Sequence, residues 1–419
     1  MKRIFLLFVG LLISLFSQSQ TRPETIISPF VDTTFTGFTE IYDLWESYLD
    51  ELNYHSAKKS YILNEFPEEL LKYWDQNEID QYKFPDLFYS FKRGSGNVFY
   101  PMEKEYLLGI VKRGENLFEL RAMFLAYPEE MWNRIPSYII TVPVKRQADG
   151  EFKLSNAFSH HKDMLQTKRL GLIRYYYDRD HLFNAEKAIG MQLKIQSFKD
   201  GFGIEFNDTI TYILSDNLTA AAEWFGVQHY DTDFISGLSN REAIALSSNN
   251  IVISGGTGEN DLHEIIHLLL NFYQKEKTTY FEEGIATYFG GVLTKNYLFH
   301  VDRLKHYLNT NPWIDLSGSL VCYYYNEDGN LRFGYPLDDK YIASLKHYKD
   351  DEMQTPYIYA IHAIIVDIAF REGSYEKVKE LYLCKADNEE EFYGCIEAVL
   401  EIKRSDLNDY IREFINEYY

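Results

Sequence analysis

Cysteine is scarce in this chain: there are three in 419 residues. Cys322, Cys384 and Cys395 fall into neither a metal-binding spacing nor the dense framework of a small disulfide-stapled domain. An odd number leaves at least one thiol unpaired; a pairing of Cys384 with Cys395 can be drawn but is not expected. Basic side chains are also in deficit, 42 Lys and Arg against 63 Asp and Glu, for a formal charge of −21. Nucleic acid and anionic membranes both require clustered cations to neutralise phosphate, so neither is expected as a partner. The apolar run at the N-terminus, Ile4 to Phe16, follows Lys2 and Arg3 and is broken only by Gly10 and Ser14. It falls short of the roughly 20 residues that span a bilayer. With Ser17 and Ser19 behind it, it reads as a cleaved signal peptide over residues 1–19, and a secreted or periplasmic mature protein without a membrane span is expected.

Apolar residues make up 46% of the chain, ample for packed cores, and the mature length exceeds what one core usually supports. Two domains are therefore expected, a small α+β accessory domain over 20–163 and a larger α+β domain over 164–419. In the first, Phe38 to Leu52 carries apolar residues at helical spacing, and a second helical stretch surrounds Pro67 to Trp74. Glu105–Lys112, Leu117–Ala126 and Tyr138–Val144 have the branched and aromatic character of strands, the last forming a hairpin with Glu151–Leu154 across Gln147–Gly150. By element order this region is similar to nuclear-transport-factor-like (NTF2-like) or cystatin-like domains. The polar run Ser159, His160, His161, Lys162, Asp163 reads as a solvated linker, because adjacent histidines point to different sides of the chain. Beyond it, strands are expected at Gly171–Tyr177, Thr209–Leu214, Ala243–Leu246 and Asn250–Ser254, and helices at 185–198 and 218–224. From Asn260 onward the pattern is helical, including 260–274, 279–290, 298–309, 340–348, 357–371 and 375–383.

One constellation carries chemistry. His263, Glu264, Ile265, Ile266, His267 places two histidines four apart on a helix, about 40° from one another around its axis, so both imidazoles can reach one ion. Glu264 lies a further ~100° from His263, where it flanks a metal without binding it. The helix is amphipathic, with Leu262, Ile265, Ile266, Leu269, Phe272 and Tyr273 on one side and His263, Glu264, His267, Asn271 and Gln274 on the other. Asn260 or Asp261 can cap it, after a turn supplied by Gly255, Gly256 and Gly258. A catalytic zinc takes three protein ligands and leaves a place for water, whereas a structural zinc takes four. The third ligand is expected in Tyr280, Phe281, Glu282, Glu283, Gly284, Ile285, Ala286, Thr287, Tyr288, where two adjacent carboxylates are candidates.

The pairing of His-Glu-x-x-His with Glu-Gly-x-Ala-x-Tyr on the next helix resembles the gluzincin metallopeptidases of the peptidase MA-like group, over residues 170–400. That resemblance selects Glu283 over Glu282 as third ligand and implies a zincin-like domain holding Zn2+ between His263, His267 and Glu283. It further implies peptide or protein substrates hydrolysed by a metal-activated water, with Glu264 as the catalytic base. It also suggests Tyr359, in the first turn of an apolar helix, as the donor to the tetrahedral oxyanion, with Tyr357 and His362 as alternatives. The strand Asn250–Ser254 is either the edge strand that receives an extended substrate or an internal strand. The aminopeptidase members' longer spacing between histidine and glutamate is absent. Their Gly-x-Met-Glu-Asn motif has only a misplaced echo in Gly258, Glu259, Asn260, so an endopeptidase is expected. Thr287 stands where some members have the aspartate that holds a histidine, leaving the partner of His263 unassigned. The alternative is a catalytically silent protein of the same fold that binds and does not cleave.

Overall fold

The computed structural model describes residues 25–57, 68–78, 104–125, 136–230, 243–246, 250–274, 281–292, 295–310, 323–325, 331–333, 357–386 and 389–419, with the single residues 312 and 316. The expected signal peptide over 1–19, the helix at 340–348 and Cys322 lie outside them. The fold is α+β, with helices and mixed sheets in both parts. The chain divides into two compact units, one from residues 1–164 and 222–237, the other from 165–221 and 238–419.

In the first unit, strands β1 (Ile26–Ile27), β2 (Lys104–Lys112), β3 (Leu117–Leu125), β4 (Pro136–Arg146) and β5 (Phe152–Leu154) lie side by side in that order. All neighbours are antiparallel except β1 and β2. The β4–β5 hairpin forms where the turn residues place it. Along β3, Phe118, Leu120, Ala122 and Phe124 are buried while Glu119, Arg121 and Met123 alternate outward, the period of two that one covered sheet face dictates. Helix α1 (Phe38–Ala57) covers that face with Phe38, Ile41, Trp45, Tyr48 and Leu49, and α2 (Glu68–Leu71) follows it. The run expected to be a solvated linker is instead a short helix, α3 (Ala157–His161), followed by a 3-10 turn. Its N-cap Asn156 accepts from the Phe158 amide, and Ala157 and Phe158 are buried. Buried Glu78 anchors it from a distance, accepting from the Asn156 amide at 2.7 Å, from Ser155 Oγ at 2.7 Å and from Ser159 Oγ at 2.8 Å. His160 and His161 are engaged as well, with Ser155 Oγ at 2.8 Å and with the Ala157 and Trp224 carbonyls.

In the second unit, β6 (Gln166–Leu170) and β7 (Ile173–Tyr177) form a hairpin around Gly171, and α4 (Ala185–Phe202) leads to β8 (Ile210–Ser215), parallel to β7. Helix α5 (Leu218–Trp224) carries the chain back into the first unit, where β9 (Val227–Tyr230) pairs with β4 as a strand of that unit's own sheet. The sheet is completed by β10 (Ala243–Leu246) and β11 (Ile251–Gly255), in the order β10-β11-β8-β7-β6. β11 is therefore internal, parallel to β8 on one side and antiparallel to β10 on the other. This decides between the two roles left open for Asn250–Ser254: Ile251, Val252 and Ile253 are buried on both faces, and among the described residues the edges are β10 and β6.

The helices α6 (Leu262–Tyr273), α7 (Glu282–Gly290), α8 (Tyr297–Thr310), α9 (Tyr357–Leu383), α10 (Glu389–Leu400) and α11 (Arg404–Tyr418) follow, with a short hairpin of β12 (Tyr323–Tyr325) and β13 (Leu331–Phe333) between α8 and α9. Helix α9 is broken at Gly373 and Ser374, as its two expected segments imply. Buried Asp367 on α9 accepts from Tyr297 and Tyr419 and pairs with Arg371, which ties α8 and the last residue to this helix. Contrary to the expectation of free thiols, Cys384 and Cys395 are joined in a disulfide that links the end of α9 to α10.

Candidate metal centre

The turn into α6 is held by two buried tyrosines. Tyr212 on β8 donates its hydroxyl to the Gly258 carbonyl at 2.8 Å and accepts from the Asp261 amide at 3.3 Å, while Tyr175 on β7 donates to the Glu259 carbonyl at 3.3 Å. Gly256 and Gly258 take left-handed φ values of 115° and 78° there, which glycine alone adopts without steric cost. Asp261 caps α6 by accepting from the Glu264 amide. The helix is enclosed more completely than an amphipathic pattern implies. Leu268 and Leu270 are buried beside the expected apolar stripe, Phe272 is 48% exposed, and Glu264 and His267 sit in a half-buried slot.

Helix α7 lies against α6 with its start near His267 and its end near His263. A Cβ on Gly290 would come within 2.6 Å of the His263 backbone nitrogen, so the two helices touch backbone to backbone at that point. Gly284 serves a different approach: a Cβ there would meet the backbone of His362 on α9 at 2.8 Å.

His263 Nε2 and His267 Nε2 are 3.1 Å apart, and Glu283 Oε2 lies 3.3 Å from the first and 3.5 Å from the second. Tetrahedral ligands 2.0–2.1 Å from a zinc ion are separated by about 3.3 Å, so these atoms have the spacing a shared ion requires. Among the described residues they form the one group of three or more such side chains able to share an ion. Glu283 Oε2 is buried without a hydrogen-bond partner, a costly state for a carboxylate oxygen that a cation would relieve. The other ring nitrogens are already engaged. His263 Nδ1 lies 2.7 Å from the Gly291 carbonyl and His267 Nδ1 lies 2.9 Å from Glu282 Oε1. A carbonyl can only accept, which fixes the proton of His263 on Nδ1, and the same tautomer on His267 directs both Nε2 lone pairs at the common point. The donor set therefore fits zinc, and the partner of His263 missing from the sequence is a backbone atom.

Electrostatics point the same way. Burial alone would push the His267 imidazole down, but the carboxylates of Glu283 and Glu282 hold it well above its ordinary value. Burial would raise Glu283, yet His267 and His263 hold it well below the carboxylate range. Glu264 stays raised by burial, despite the two histidines beside it. Three carboxylates around two imidazoles make a pocket that stabilises positive charge.

The remaining candidates divide. Tyr359 is half-buried in the first turn of α9, one turn before His362, the residue whose backbone meets Gly284. Tyr357 begins the same helix. His362 is fully buried, with its ring 5.5 Å from that of Phe392. Glu259 is also buried, bonded to His181 Nε2 at 2.8 Å and to the Asn184 amide at 2.7 Å, so it serves the start of α4. Glu282, passed over as a ligand, is nonetheless part of the site. A scan against family models finds no match to this chain, and a search of curated proteins finds none either.

Proposed function

We propose that this chain is a zinc-dependent peptidase of the gluzincin, peptidase MA-like kind, acting on peptide or protein substrates outside the cytoplasm. The observation that carries the reading is the triangle of His263 Nε2, His267 Nε2 and Glu283 Oε2, with both Nδ1 atoms engaged elsewhere and Glu264 beside it. His263, His267 and Glu283 would hold a zinc ion, which would supply Lewis acidity to acidify a water and polarise a carbonyl. Glu264, its proton affinity raised by burial, takes the proton of the attacking water and passes it to the leaving amine. Tyr359 is the proposed donor to the developing oxyanion. Of the two edge strands among the described residues, β10 and β6, it is β10, the neighbour of the strand that leads into the histidine helix, that would offer main-chain groups to an extended substrate, a mode suited to many sequences. An endopeptidase is favoured because Glu259 is buried against His181 and Asn184, where it cannot hold a substrate amine.

A mixed sheet followed by the histidine helix, the glutamate helix and a helical lobe supports a zincin-like domain. A helix laid on an antiparallel sheet suits an NTF2-like or cystatin-like accessory unit. The Cys384–Cys395 bridge supports an oxidising compartment, in keeping with the signal peptide expected over 1–19, and no described helix is long and apolar enough to cross a membrane.

The test is the full chain against Glu264→Gln, with bound zinc measured on both and hydrolysis followed on peptide mixtures. Zinc is expected in both, with activity lower by about 10²–10⁴-fold in the variant. Equal hydrolysis refutes the assignment of the base. Zinc without any cleavage refutes catalysis and leaves a binding protein with a metal centre.

A further inference from the structure

Each metal-facing histidine is oriented by a different kind of partner, and both partners come from the region of α7. His263 Nδ1 meets the neutral Gly291 carbonyl at 2.7 Å, whereas His267 Nδ1 meets the carboxylate of Glu282 at 2.9 Å. The Glu282 side chain is only 12% exposed, as is that of His267, so water competes weakly for the contact. Glu282 and Glu283 are consecutive, and at ~100° per residue two consecutive helical side chains diverge. Here the divergence sends Glu283 to the Nε2 side of the ring and Glu282 to the Nδ1 side. Glu282 thus engages the Nδ1 side of the His267 imidazole, while Glu283 Oε2 lies 3.5 Å from Nε2 on the side that would face the ion.

We infer that Glu282 is a positioning residue of the metal centre, fixing the Nδ1–H tautomer and the ring plane of His267 and making its Nε2 a stronger donor to zinc. The inference rests on the zinc reading above. A carboxylate behind an imidazole raises the basicity of the coordinating nitrogen as well as aiming it, and loss of such a partner typically costs 10–100-fold in metal affinity. The Gly291 carbonyl aims His263 without that added negative charge, so the two histidines are unequal ligands.

Zinc affinity of the full chain is measured by competition with a chromophoric chelator for wild type, Glu282→Ala, Glu282→Gln and Glu283→Ala. Alongside it, the His267 Nδ1–H proton of the zinc-loaded protein is followed by NMR for exchange with solvent. Affinity is expected to fall about 10–100-fold in Glu282→Ala. In Glu282→Gln, whose amide oxygen still accepts the proton, the loss is expected to be smaller. The Nδ1–H signal is expected to be protected in wild type and Glu282→Gln and to exchange freely in Glu282→Ala. The conservative rescue separates positioning from general damage to α7, which would lower both variants alike. A Glu282→Ala protein that binds zinc within twofold of wild type, while Glu283→Ala loses it, overturns the role of Glu282 alone. A wild type that takes up no zinc overturns the metal reading on which this one rests.

Discussion

Replacing Gly290 by alanine tests the packing on which the site depends without touching a ligand. The added methyl would sit 2.6 Å from the His263 nitrogen and 2.7 Å from its Cα. A comfortable methyl contact begins near 3.4 Å, so about 0.8 Å must be found. Both obstructing atoms are backbone at the first turn of α6, fixed from behind by Tyr212 and the Asp261 cap, so no flexible side chain can yield. The end of α7 must move away from α6 and carry the Gly291 carbonyl off His263 Nδ1. Overpacking of this kind costs about 1–3 kcal/mol. In a unit of this size that lowers the melting temperature by roughly 2–4 °C per kcal/mol, or about 2–12 °C. Zinc affinity should fall as well, by about tenfold or more, since a histidine loses its orienting partner. Differential scanning calorimetry with and without zinc, together with chelator competition, reads both effects. A variant that melts within a degree of wild type and binds zinc equally well would refute the close-approach argument. Gly284→Ala, aimed at α9, provides the contrast: strain without direct displacement of the His263 partner.

Two further outcomes follow from features outside the metal centre. The Cys384–Cys395 bridge closes a short loop, for which chain entropy gives about 3 kcal/mol; reduction should lower the melting temperature by roughly 6–12 °C, and the oxidised, denatured chain should titrate one thiol, while three would refute the bridge. Glu78 is pushed up by burial but held below the ordinary carboxylate value by Lys145, Ser155, the Asn156 amide and Ser159. Its contribution is therefore present above the unfolded pKa and lost as pH falls through the lower folded one. Three of the five tryptophans, Trp45, Trp74 and Trp224, lie among the described residues of the first unit, so urea unfolding followed by tryptophan emission should show stability falling below about pH 4.5. Glu78→Gln, destabilised by about 1–3 kcal/mol at neutral pH, should show a flatter acid limb; identical limbs would refute the network.

The parts of the site legible in the sequence are those that local geometry fixes. His263 and His267 are four apart on one helix, and their convergence needs no tertiary information. The requirement for a third ligand narrows the search to Glu282 and Glu283, but which carboxylate faces Nε2 depends on how α7 is rotated, which the sequence does not encode locally. The partner of His263 was beyond reach for a plainer reason: it is a carbonyl, an atom every residue carries. The internal position of β11 did have a signal, since consecutive Ile251, Val252 and Ile253 are what a strand covered on both faces requires. Strand β6 had none, because Gln166, Thr167, Lys168 and Arg169 are polar and only their pairing with β7 makes them a strand. Helix α3 is hard to read because its histidines and the lysine that follows look solvated, while the carboxylate that anchors it, Glu78, lies 78 residues from Asn156.

The concentration of the candidate site's contacts on α7 has a mechanical consequence. Its nine residues span about 13 Å, whereas the two histidines are only about 6 Å apart along α6. The first turn of α7 supplies the proposed ligand Glu283 and the Glu282 contact at one end of the histidine pair, and the residue beyond its last turn supplies the Gly291 contact at the other. A slide of α7 along its own axis therefore disturbs all three contacts in the same direction, and no single side-chain rotamer can restore them. What opposes the slide is packing on a second front, where Gly284 meets the backbone of His362 and Phe281, just before the helix, stacks on Phe392 of α10 at 4.9 Å. Helix α10 is in turn tied to α9 by the disulfide. The spacing of the three metal-facing atoms is thus maintained by the core of the helical lobe, and a loss of core volume there, as in Phe392→Ala, should weaken zinc binding from a position that touches no ligand.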